Sequence, residues 1–324
     1  MPKLPLVLAF AIAQAVIARP EPPTAKEIAP DTFLVPGAML PDRGPDGNTV
    51  LISTPAGLIV IDTGRHAWHS DGILEFARAR RQSIAAIVNT HWHLDHSSGN
   101  RRIKASHPAA KLYTTTAIDR ALAPDGFLTR NAAAARTRPA DPKAPPTRQE
   151  ETEIFLATMD ASESLRPDEP IERSGTMRIA GRPLSVHVTK GAVTDADVWL
   201  YDEATGVATL GDLVTLPAPF FETACPARWQ EALDEVWASP FRLAVPGHGA
   251  VMTRGQFNTY RKAFGAFRAC VAGDGAPATC AEAWSKDVGP LMSDTERKQA
   301  PEYAAYYVEF LRKGGGNSPD CQAK

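Results

Sequence analysis

A chain of 324 residues with 44% hydrophobic and 22% charged side chains can bury a sizeable core, in one large domain or two ordinary ones. Its 35 Lys and Arg nearly cancel 37 Asp and Glu, leaving a net charge of -2. No field of one sign covers the molecule, so neither a nucleic-acid partner nor an anionic membrane surface is implied.

The N-terminus reads as a secretory signal peptide over residues 1–18. Lys3 is the positive end, Leu4 to Ile17 is apolar apart from Gln14 and one proline, and small residues offer cleavage after Ala15 or Ala18. The apolar run is shorter than the roughly 20 residues of a spanning helix, so export with cleavage is expected ahead of uncleaved anchoring. Residues 19–30 are Pro/Glu-rich and read as a linker. Thr49 to Ser53 and Leu58 to Asp62 flank Pro55-Ala56-Gly57 as two strands of a hairpin. The spacing of Ile73, Leu74, Phe76 and Ala77 predicts a helix over Asp71 to Arg81, capped by Ser70 or Asp71. Ile84 to Asn89 is a nearly continuous apolar run, as a buried strand requires. Lys111 to Thr114 is a further strand, followed by a helix through Ala121.

Residues 123–170 differ in character. Ala132 to Ala135 precede Pro139, Pro142, Pro145 and Pro146 and then acidic Glu150, Glu151 and Glu153. The stretch is either a partly helical or irregular insertion overhanging the site or a plain loop. Strand patterning resumes over Thr176 to Val188, Val198 to Tyr201 and Val207 to Leu210. A helix (Pro226 to Trp237), a short strand (Arg242 to Val245) and a long helix (Thr253 to Ala272) follow. The remainder, 273–324, is expected to be a helical extension with a terminal helix over 300–312. Cys225, Cys270, Cys280 and Cys321 suit disulfides in an exported protein; the short Gly/Pro loop between Cys270 and Cys280 favours that pair, leaving Cys225 with Cys321.

The chemistry concentrates in Asn89-Thr90-His91-Trp92-His93-Leu94-Asp95-His96, directly after the apolar strand. In an extended stretch residues i and i+2 point the same way, so His91 and His93 can grip one ion together. Asp95 and His96 come after the chain turns and aim at a neighbouring point. Imidazole and carboxylate suit zinc. A solvated His-rich loop is the bland alternative, and its place at the end of a buried strand argues against it.

The pattern His-x-His-x-Asp-His resembles the metallo-β-lactamase fold superfamily, and further landmarks come in the expected order. They are Asp62-Thr63-Gly64, Gly211-Asp212-Leu213 and Pro246-Gly247-His248-Gly249, each after a strand. The resemblance implies an αβ/βα sandwich of two mixed sheets flanked by helices, over residues 31–272. It also implies two metal sites. Site one would take His91 and His93, and site two Asp95, His96 and His248, with Asp212 bridging. Asp62 is expected to fix loops beneath the metals rather than to bind one.

One departure stands out. The family's third site-one histidine aligns with Val193, in Lys190-Gly191-Ala192-Val193-Thr194-Asp195, and valine cannot bind zinc. One or two zinc ions are therefore expected with site two favoured, and His66 or His69 can substitute at site one. The resemblance implies a metal-activated hydroxide, oriented by the catalytic carboxylate Asp95, attacking an amide, ester, thioester or lactone of a small-molecule substrate. β-Lactamase action is one alternative; a catalytically impaired metal-binding or partner-binding protein, favoured by Val193, is another. Phe220, Phe221 and Trp229 either line a substrate pocket or pack in the core, and Tyr303, Tyr306 and Tyr307 read as a packing stripe. No nucleic-acid partner and no stable membrane insertion after signal cleavage are expected.

Overall fold

The structure is a computed structural model that describes residues 19–139, 141 and 143–316; the expected signal segment 1–18 lies outside them. Its first sheet has seven strands in sequence order: β1 (Lys26–Ala29), β2 (Thr32–Val35), β3 (Thr49–Thr54), β4 (Gly57–Ile61), β5 (Ile84–Val88), β6 (Lys111–Thr114) and β7 (Glu169–Pro170). Pairing is antiparallel through β4 and parallel from β4 to β7. The helices of this half are α1 (Ala67–Arg80), α2 (Leu94–Ser97), α3 (Asn100–Ser106), α4 (Ala117–Ala121), α5 (Phe127–Thr137) and α6 (Pro146–Asp160).

The second sheet is built from β8 (Gly175–Ile179), β9 (Arg182–Lys190), β10 (Ala196–Asp202), β11 (Val207–Thr215), β12 (Leu243–His248) and β13 (Met252–Thr253). Its order is β13-β12-β11-β10-β9-β8, with β11 and β12 the parallel neighbours. Helices α7 (Pro226–Ala238), α8 (Arg254–Ala272), α9 (Pro277–Val288) and α10 (Asp294–Arg312) follow in chain order.

Side-chain alternation decides which layer each strand residue joins. Val50, Ile52, Ile59 and Ile61 enter the core between the sheets, against Leu184, Val186, Val198 and Leu200. Leu51, Leu58 and Val60 face the other way, onto Ile73 and Ala77 of α1 and Ile103 of α3. Both faces of β4 are thus covered, which is why it reads as an unbroken apolar run; each such side chain buried contributes about 1.5–3 kcal/mol. On the far side, Trp229, Phe264, Trp284 and Val308 from α7 to α10 share one core with Trp199 and Leu210 of the second sheet.

Several boundaries differ from the sequence reading. Lys26–Ala29, expected within the linker, is a strand on the edge of the first sheet, with half of it exposed. An edge strand needs little apolar content, so composition hides it. Helix α1 begins at Ala67, and neither Ser70 nor Asp71 caps it. Asp46 instead accepts the backbone N–H groups of Arg65 and His66 just ahead of the helix. The single strand expected over Thr176 to Val188 is the β8–β9 hairpin, which turns at Ala180 and Gly181. The insertion is mainly helical, as α5 and α6. The C-terminal region adds α9, and α10 starts at Asp294 behind a capping box of Ser293 and Glu296. Cys270 and Cys280 form a disulfide between α8 and α9. Cys225 is not free either, and Cys321, its expected partner, lies outside the described residues.

Candidate metal centre

The parallel strands β4 and β5 end side by side, and the loops leaving them carry the first half of the site. Asp62, in the left-handed region at φ 62°, directly follows β4. Its Oδ1 accepts the Thr90 backbone N–H at 2.8 Å, and its Oδ2 accepts the Thr90 hydroxyl at 2.8 Å. The same Oδ2 lies 2.7 Å from His96 Nδ1. Asp62 therefore fixes His96 with Nε2 facing inward. Having donated its proton to Asp62, Thr90 Oγ1 accepts from His91 Nδ1 at 2.9 Å, which leaves His91 Nε2 free. His93 is turned the other way round: Nε2 donates to Thr223 Oγ1 at 2.9 Å, and that hydroxyl donates to the Val193 carbonyl at 2.8 Å. Nδ1 of His93 is the ring nitrogen left. Partners of this kind set tautomer and ring orientation in metal-binding histidines.

The second sheet supplies the rest. β11 breaks register with β12 at Gly211, whose φ of 53° suits glycine; a Cβ there would stand 2.5 Å from Thr90 Oγ1. The irregularity carries Asp212 to the floor of the site. A Cβ on Gly247 would stand 2.0 Å from Asp212 Oδ1, so only glycine lets the β12 end bring His248 this close. Asp212 Oδ2 lies 3.6 Å from His91 Nε2 and 3.7 Å from His93 Nδ1. Asp212 Oδ1 lies 3.1 Å from His96 Nε2 and 3.5 Å from His248 Nε2. Asp95 Oδ2 is 2.9 Å from His248 Nε2. Two triads result, His91/His93/Asp212 and Asp95/His96/His248, and in each the ligand atoms lie within 4.8 Å of one another.

All six residues are buried. His91 Nε2, on the side of the first triad, and Asp212 Oδ1, on the side of the second, are buried with no hydrogen-bond partner, a costly arrangement unless cations take them up. Burial works against charge on His96, but Asp212, Asp62 and Asp95 outweigh it and hold its pKa well above the ordinary value. His248 is raised in the same way, mainly by Asp212 and Asp95. Burial likewise opposes ionisation of Asp212, and His96 and His248 reverse it, keeping the carboxyl ionised. His91, desolvated beside His93 and His96, is pushed down to about 4 and stays neutral, as a ligand must be. Carboxylates, neutral imidazole and orphaned polar atoms together fit a divalent metal.

His66 and His69, the suggested substitutes, are engaged elsewhere. His66 Nδ1 lies 2.8 Å from Asp46 and its Nε2 2.7 Å from Glu151, while His69 Nε2 lies 2.8 Å from Thr49 Oγ1. Among the described residues neither belongs to the two triads. The Val193 side chain is buried in the core, and its carbonyl steadies His93 through Thr223.

Above the ligands lies a cavity of about 370 Å³. Phe220 lines it, whereas Phe221 and Trp229 are core residues. Tyr303 and Tyr307 also line it, so the expected packing stripe is also a wall of the site. Their i, i+4 spacing was a usable signal for a shared face. Phe127, Leu128 and Phe155 bring the insertion over the site.

A two-sheet sandwich with buried histidines and aspartates gathered at its strand ends defines a class of metal-dependent hydrolases. The sequence profile of the metallo-beta-lactamase superfamily matches residues 42–248, well over half of the chain. The chain belongs to that superfamily and is a metal-dependent hydrolase with a small-molecule substrate. Solved structures share the fold, among them the following three. A metallo-beta-lactamase from Pontibacter korlensis is 19% identical, with TM-score 0.51 over 72% of this chain and 94% of that one. One from Hirschia baltica is 13% identical, with TM-score 0.53 over 75% and 97%. The DIM-1 metallo-beta-lactamase exposed to ceftazidime is 14% identical, with TM-score 0.54 over 75% and 97%. No curated protein matches the chain. Identities this low carry the fold and not the substrate.

Proposed function

We propose that the protein is an exported zinc hydrolase that cleaves an amide, ester, thioester or lactone through His91, His93, Asp95, His96, Asp212 and His248. The observation that carries this reading is the pair of buried, convergent donor triads with His91 Nε2 and Asp212 Oδ1 unpartnered. Bound there, zinc supplies Lewis acidity, making water nucleophilic near neutral pH and polarising the acyl carbonyl. The chain's own part is positional. Asp62 and Thr90 hold His96 and His91 in their binding tautomers. Asp95 lines the cavity and is the carboxylate placed to orient the attacking water. The Asp95/His96/His248 side is the tighter, since Asp212 Oδ1 also reaches it and Asp62 supports it. Export is supported by the Cys270–Cys280 disulfide and the Lys3-led apolar N-terminus. Among the described residues no helix is long and apolar enough to cross a membrane.

The test is elemental analysis of the purified protein together with turnover of a panel of chromogenic esters, thioesters, lactones and anilides. The expected result is at least one zinc per chain, with turnover lost to a chelator and restored by zinc. Zinc bound with no turnover across the panel would favour a binding protein instead. β-Lactam hydrolysis is the second reading, favoured by the names of the three structural neighbours. A chromogenic cephalosporin on the same panel decides it.

A further inference from the structure

The walls of the cavity are mostly apolar outward from the metal ligands, with Asn131, Thr215 and two tyrosine hydroxyls as their uncharged polar groups. The His93 ring meets Phe220 edge-on at 5.2 Å, and Phe220 meets Tyr307 at 6.2 Å. Opposite, Trp92 continues into Phe127 at 5.8 Å, with Phe155 from α6 beside them. Outside the ligand residues, Arg65 is the one charged side chain among the described lining residues. Its guanidinium already faces Glu151 at 3.7 Å, and Glu151 is in turn held by His66 and Arg43. A substrate carboxylate or phosphate entering this cavity would lose its hydration and find on the walls only Arg65, whose charge Glu151 already offsets. An alkyl or aryl group would lose nothing and would bury its surface.

We infer that the substrate is uncharged and carries a bulky apolar acyl or alkyl group, laid between the insertion on one side and Phe220, Tyr303 and Tyr307 on the other. The position of the scissile carbonyl above His93 and Asp212 rests on the hydrolase reading; the binding of the apolar group does not. This separates the substrate from β-lactams, whose ring carboxylate asks for a cation.

Two measurements test it. The first is calorimetric titration of the purified protein with methyl octyl ketone, a neutral ligand that cannot be hydrolysed, and with the same ketone ending in a carboxylate. The neutral ketone is expected to bind with a negative heat-capacity change, and the carboxylated one at least tenfold more weakly (about 1.4 kcal/mol). Equal or tighter binding of the carboxylated ligand would overturn the inference. The second measurement is kcat/KM for nitrophenyl acetate, butyrate, hexanoate and octanoate. It should climb by up to about fourfold for each methylene that becomes fully buried, the equivalent of ~0.8 kcal/mol. Phe155→Ala should lower the octanoate-to-acetate ratio. A flat series with no ketone binding would sink the apolar-substrate inference and leave the hydrolase standing. Ketone binding with no ester turned over would do the reverse.

Discussion

The floor and the walls of the cavity are built by different rules. On the floor, four of the six donors lie between His91 and His96, and short hydrogen bonds from Asp62, Thr90 and Thr223 set their tautomers. The walls come from chain segments far apart, with Phe155 in the insertion, Phe220 after β11 and Tyr303 near the C-terminus. Core packing and an ion-pair clasp hold them over the floor. Reaction chemistry therefore depends on a few bonds at strand ends, whereas selectivity depends on helices that can be exchanged without disturbing those bonds.

If that division is right, floor substitutions cost metal and leave the fold intact. The largest effect is expected for His248→Ala. It removes a donor from the better-supported triad, so zinc affinity should fall by more than the roughly 10–100-fold typical of losing a supporting residue. Elemental analysis after dialysis measures it; full zinc retention would overturn the assignment of the tighter site. Asp62→Ala keeps every ligand but frees His96 Nδ1, and a loss in the 10–100-fold range is expected from competition with a chromogenic chelator. Unchanged affinity would mean that Asp62 serves the Thr90 loop alone. A smaller change is expected of Val193→His. Val193 adjoins Thr223, the partner of His93, so an imidazole there should raise bound metal toward two ions per chain. Stoichiometry that stays put would show that this position does not face the first triad.

The same division explains what could be read beforehand. The ligand run was legible because its spacing is local and because a buried strand, Ile84–Val88, leads straight into it. Asp212 and His248 were legible only through their glycine neighbours, and the structure gives the cause: Gly211 and Gly247 stand where a Cβ would strike Thr90 or Asp212. Thr223 was missed. It acts through one hydroxyl, 130 residues from His93 in the chain, and nothing local marks such a contact. The sequence does not distinguish Tyr303 and Tyr307 from packing residues, because an i, i+4 stripe looks the same whether it faces core or cavity. The place of His66 after Asp62-Thr63-Gly64 suggests a ligand, yet its two nitrogens are taken by Asp46, ahead of α1, and Glu151, on α6.

His66 thus belongs to the walls, and replacing it tests how α6 is held. It stacks on Trp68 with ring centres 3.9 Å apart, over which Arg43 also lies, while Arg43 pairs with Glu150 and Glu151. His66→Phe keeps the stacked ring and deletes both bonds to carboxylates, at an expected cost of about 1.5–3 kcal/mol. The pH dependence identifies the mechanism. Burial opposes charge on His66, but Asp46 and Glu151 raise its pKa above the ordinary 6.5. Its stabilisation is therefore complete below 6.5 and fades as pH climbs through the raised value. Asp46 and Glu151 are lowered despite burial, through their bonds to His66, so their share is present above the ordinary carboxylate range and fades as pH falls through the lowered values. The gap in thermal midpoint between wild type and His66→Phe should accordingly be widest between about pH 4.5 and 6.5, the interval between ordinary Glu and His values, and narrow on both sides. Zinc content should be the same in both proteins. A gap that does not narrow above pH 6.5 would mean that hydrogen bonds of the neutral ring, and not the charged clasp, tie the insertion down.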